Sequence, residues 1–138
     1  MSDPLPSGLP EIVADEEDLA RILRSSGHFS TTVVKGAAFL PAKDGMTSVI
    51  RHGAEPRQEL WKLARAFLGS EVKFHGAAVC KATVVRAQHL NVVADEPPPR
   101  HANVVEWPVH ADPELQKARQ KEIALVIASQ SVLVKVEA

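Results

Sequence analysis

The apolar positions of this chain fall into short runs separated by proline, glycine and charge, and most runs carry one of two periods. At a period of 3.6 the pattern predicts three main helices. Leu19, Ile22 and Leu23 form an i, i+3, i+4 stripe behind Asp15 and ahead of Gly27, which reads as a helix over 15–26. Pro56, acceptable in a first turn, opens a stripe of Leu60, Leu63, Ala64 and Phe67, widened by Trp61 and Leu68 and stopped by Gly69, so a second helix spans 56–68. Asp112 and Pro113 start the longest helix, 112–130, whose apolar side is built from Leu115, Ala118, Ile123, Val126 and Ile127.

The remaining runs are short and rich in β-branched residues. The stretch 31–40 reads as a strand with Gly36 at a bulge or close backbone approach, and Ala42-Lys43-Asp44-Gly45 as a hairpin connection to a return strand over 46–52. Further strands are expected at 71–79 (interrupted by Gly76), 90–94, 101–105 and, as a buried strand, 132–136, with a short helix at 82–88. The fold class is therefore α/β or α+β: one compact domain with a mixed sheet of about five strands and three main helices. Residues 1–14 form a proline-rich segment that drapes over the body or is mobile, and 15–138 form the domain. The expected core is Leu19, Ile22, Phe39, Val49, Leu60, Leu63, Phe67, Val92, Ile123, Val126 and Leu133.

Composition narrows the function classes. The chain has 138 residues, 45% of them apolar, enough for a hydrophobic core without metal or disulfide staples. A formal charge of −1 provides no global attraction to nucleic acid or to anionic membranes, so neither is an expected partner. The single cysteine, Cys80, has no internal disulfide partner and reads as a small buried hydrophobe in a reducing, cytoplasmic setting. No apolar run approaches the length of a membrane span, and the first residues lack a signal-peptide pattern. Phosphate-binding loops, zinc-protease, paired-cysteine and serine-hydrolase motifs are all missing, and no cofactor is implied.

Candidate chemistry collects in Asp95-Glu96-Pro97-Pro98-Pro99-Arg100-His101-Ala102-Asn103-Val104-Val105-Glu106-Trp107-Pro108. Three consecutive prolines make a stiff extended connection that delivers Arg100, His101 and Asn103 to its end. A guanidinium can grip a phosphate or carboxylate while a neighbouring imidazole moves a proton. Alternating strand geometry, however, sends adjacent side chains to opposite faces. Arg51-His52 repeats the Arg-His pair, and His28 lies between two predicted elements. If these ends converge, His28, Arg51, Arg100 and His101 line a positive cleft, with His101 and His28 as acid-base candidates and Arg100, Asn103, Trp107 and Arg51 as ligand or partner contacts. Trp107 before Pro108 reads as a packing plug or as an interface anchor. Six histidines lack the spacing of a metal site, since only His101, His110 and Asp112 lie close in sequence.

The runs Ala38-Phe39-Leu40-Pro41, Ser48-Val49-Ile50-Arg51, Leu90-Asn91-Val92-Val93 and Pro99-Arg100-His101, together with Trp107-Pro108, resemble small bacterial proteins encoded within multi-gene cassettes, over about residues 28–136. The resemblance implies a bacterial origin. Two functions fit these readings. The first is a non-catalytic adaptor subunit with a protein partner; the second is a small enzyme acting on a phosphoester or nucleotide-type substrate.

Overall fold

The stretch around Leu19 is a strand and not the helix that its spacing predicts. In the computed structural model, which describes residues 5–51, 56–69 and 71–136, β1 spans Asp18–Leu23 and lies inside a six-stranded sheet. A strand covered on both faces is apolar at adjacent positions, so it loses the in-out alternation and can imitate a helical stripe. Leu19 and Leu23 point to one cluster of the core, whereas Ala20 and Ile22 point to another. The local capping signal was equally deceptive: the Asp15 carboxylate accepts a hydrogen bond from Arg86 Nη1 at 2.6 Å.

The other elements follow in order. A 3-10 turn at Ser26–His28 leads into a two-residue hairpin, β2 (Phe29–Ser30) with β3 (Val33–Val34), and a second 3-10 turn covers Gly36–Phe39. These pieces replace the single strand expected at 31–40, because Thr31 and Thr32 reverse the chain. Gly36 does make a close approach, as a Cβ there would stand 3.2 Å from the backbone of Leu125. Next come β4 (Thr47–Arg51), α1 (Arg57–Leu68), β5 (Gly76–Lys81), α2 (Ala82–Arg86), β6 (Asn91–Ala94), β7 (His101–Val105), α3 (Pro113–Ser129) and β8 (Val132–Lys135). His52, the expected end of the return strand, lies outside the described residues, as do residues 1–4 of the proline-rich segment.

The strand order is β6-β7-β4-β1-β5-β8 and every pairing is antiparallel, so the sheet is not mixed. The class is α+β, a single domain. Helix α1 covers one face, with Leu60 and Ala64 against Ala20, Ile22, Ile50 and Ala77. Helix α3 and the Gly36–Phe39 turn cover the other, where Phe39, Ala124 and Ile127 meet Leu19, Val49 and Ala78. Strand β8 is an edge and not a buried strand, with Val132 65% exposed. The apolar side predicted for α3 also shifts. Its N-terminal half rests on the 108–110 loop through Gln116 and Gln120 and leaves Leu115 and Ala118 exposed, while Ala124, Ile127 and Ala128 form the buried contact. In the expected core, Leu63, Phe67, Ile123, Val126 and Leu133 are half-buried and the rest are buried.

Candidate functional site

The proline cassette folds inward. It is the loop of the β6–β7 hairpin, where Arg100 adopts φ 63° and closes the turn. Asp95 N–H donates to His101 O at 2.9 Å and His101 N–H to Pro98 O at 3.1 Å. The side chains repeat the stitch. His101 Nδ1 lies 2.8 Å from Asp95 O, and Asn103 Nδ2 donates to Asp95 Oδ2 at 2.8 Å. The His101 ring is stacked on Phe67, with centroids 5.0 Å apart, and its Nε2 has no partner among the described residues. Glu96 accepts from Ser7 N–H and Ser7 Oγ, which ties the start of the chain to this loop.

The candidate residues do not assemble into one cleft. His101 and Asn103 lie on the α1 face of β7. The Arg51 side chain leaves β4 on the opposite face and is 0% exposed. There Arg51 Nε and Nη2 form a two-pronged pair with Glu17 at 2.7 and 2.8 Å, and Nη1 donates to Pro10 O at 2.6 Å. Burial pushes the Glu17 carboxyl up, but hydrogen bonds from Arg51 and from Ala14 N–H, together with the arginine charge, win and hold it below the ordinary glutamate value. Arg51 and Arg100 are backbone neighbours, since Arg51 N–H donates to Arg100 O at 2.7 Å, yet their guanidinium groups serve different purposes. His28 is remote from both. It precedes Phe29, whose ring contacts His75 at the start of β5, two strands beyond β4. Burial, with help from the charge of Arg21, holds His28 below the ordinary imidazole value. Trp107 is 5% exposed in the α3-side core.

Glu17 carried no signal in the sequence, because nothing in a local pattern ties it to an arginine 34 residues away. Among the described residues there is no group of three His, Cys, Asp or Glu side chains that could hold a metal ion. No described helix is long and apolar enough to cross a membrane.

Unsatisfied groups gather instead at the β8 edge. Val136 N–H donates to His75 O, so in the antiparallel register Val134 and Val132 also face β5. The backbone groups of Leu133 and Lys135 therefore point away from the sheet, where no further strand pairs with them among the described residues. A trough of about 420 Å³ runs outside this edge, between the Thr31-Thr32 turn and Arg57 of α1. A second, of about 570 Å³, continues it past Lys135, Gln58 and Trp61. Arg57 and Lys135 have no carboxylate partner among the described residues. No single-sequence feature marked this edge, since only the strand order determines which strand is last.

Comparison with protein-family models, curated proteins and solved structures finds no match to this chain.

Proposed function

We propose that this protein is a non-catalytic interaction subunit that takes up an extended, acidic segment of a partner protein along the free edge of β8. The observation that carries the reading is the register itself, which leaves the N–H and C=O groups of Leu133 and Lys135 directed into a trough. An added strand satisfies such groups in pairs, and alternate side chains of that strand give specificity. Arg57 and Lys135 flank the trough with two positive charges and favour aspartate or glutamate in the incoming segment. The exposed side of Val132 and the ring of Trp61 accept its apolar residues. The internal use of His101, Asn103 and Arg51 supports the adaptor over the enzyme, because side chains committed to the loop and to Glu17 are not placed to share one substrate.

The test uses a photo-crosslinking amino acid at Val132 in the full chain, exposed to an extract of the source organism, with the linked segment located by mass spectrometry. The expected product is an extended stretch of another protein carrying Asp or Glu. Lys135→Pro removes an N–H that faces outward and spares the bonds to β5, and Arg57→Glu reverses a flanking charge. Each variant, shown to be folded, should reduce the crosslink: Arg57→Glu at least tenfold, as a charge-assisted contact worth about 1.5–3 kcal/mol is lost, and Lys135→Pro several-fold, as a backbone hydrogen bond worth about 0.5–1.5 kcal/mol is lost. A crosslink to a second copy of this chain, to a segment without acidic residues, or one undiminished by Lys135→Pro overturns the proposal.

A further inference from the structure

The pairing of β1 with β4 stops early. Their ladder holds only Leu19 with Arg51 and Ala20 with Ile50, whereas β1 pairs with β5 along its whole length. Arg21 and Val49, next in register, are not partners, so the two central strands part and leave a fork. Arg21 bridges it, donating from Nε to Ala38 O at 2.8 Å and from Nη1 to Ser48 O at 2.9 Å. Its Nη2 has no partner among the described residues.

This fork opens into a cavity of about 190 Å³. About six waters would fill that space at about 30 Å³ each, so it has room for a small organic molecule and not for a drug-sized cofactor. One wall is apolar, made by Ile22, Ile50, Phe67 and Leu68. Arg21, whose guanidinium spans the fork, completes the lining with Arg24 and Ser48. Asp44 also lines the cavity, and its Oδ1 accepts the Met46 N–H at 2.9 Å within its own turn. Arg24 is exposed and has no carboxylate partner among the described residues. Its charge adds to burial in making the protonated form of Arg21 less favourable, so the two cations sit close enough to repel each other. An anion between two such groups relieves that repulsion and gains charge-assisted hydrogen bonds.

We infer that the fork between β1 and β4 is a binding site for a small carboxylate with a compact apolar body. The carboxylate faces Arg21 and Arg24, and the apolar body lies against Phe67, Leu68 and Ile50. Inorganic phosphate meets the cationic wall equally well but leaves the apolar wall uncovered, so the organic anion is the better fit. This site is separate from the β8 edge and does not depend on that surface having a partner.

Titration of the isotope-labelled full chain with benzoate, followed by amide chemical shifts, tests the inference. Saturable shifts are expected at Ala20, Ile22, Ser48 and Phe67, with benzamide, the uncharged analogue, binding at least tenfold more weakly. Arg24→Gln, at an exposed position that should not threaten folding, should weaken benzoate at least tenfold. Arg57→Gln, at the distant edge, should leave it unchanged. Equal titration by benzoate and benzamide, phosphate binding as tightly as benzoate, or an unaltered benzoate affinity in Arg24→Gln each overturns the inference. None of these outcomes bears on the crosslink at Val132.

Discussion

Replacing Glu17 with alanine removes the one carboxylate that the fully buried Arg51 meets among the described residues. Two of the three hydrogen bonds from its guanidinium end on Glu17, at 2.7 and 2.8 Å, and the third ends on Pro10 O. Hydrogen bonds to charged groups contribute about 1.5–3 kcal/mol each, and breaking a buried pair by deleting one partner costs about 3–5 kcal/mol, because the surviving charge stays buried. Both routes place Glu17→Ala at about 3–5 kcal/mol of lost stability, to be read from urea denaturation by linear extrapolation. The double variant Glu17→Leu, Arg51→Met should recover much of the loss, since it leaves no stranded charge. The pair also predicts a pH dependence. The folded Glu17 pKa lies below its unfolded value, so its contribution is complete above about 4.5 and is lost as pH falls through the lower folded value. Wild type should therefore lose stability on acidification more steeply than Glu17→Gln. A Glu17→Ala protein within 1 kcal/mol of wild type at pH 7 would falsify the account of Arg51 as a buried, carboxylate-dependent cation.

Two further outcomes follow from particular contacts. A Cβ at Gly76 would clash with Val134 O and with the adjoining backbone of Lys135, so Gly76→Ala must push β8 off β5. It should cost at least about 1–3 kcal/mol, the usual range for overpacking, and amide exchange at Val134 and Val136 should quicken more than in α1. Burial pushes the Cys80 thiol up to about 11, with a hydrogen bond from Ser131 opposing only in part. Native protein at pH 8 should hence resist a thiol-specific reagent and react once unfolded; rapid native labelling would contradict the buried placement.

Much of the periphery was legible in the sequence. Asp112 caps α3 through Glu114 N–H, with Pro113 in its first turn, and Gly69 ends α1 at φ 91°, because caps are local chemistry that the neighbouring residues dictate. The Ala42–Gly45 turn, the short helix at 82–86 and the strands at 91–94 and 101–105 were visible for the same reason. The centre was not. Leu19, Ile22 and Leu23 keep the same spacing whether a helix stripe or a strand buried on both faces uses them, and only the neighbours β4 and β5 decide for the strand. The partner of Arg51, the separation of His28 from His101, the fork at Arg21 and the free edge at β8 all depend on which strands lie side by side. The sequence by itself determines local preference and the supply of apolar and charged groups. The tertiary structure alone decides strand order and register, because hydrogen bonds between strands join residues tens of positions apart whose identities do not encode one another.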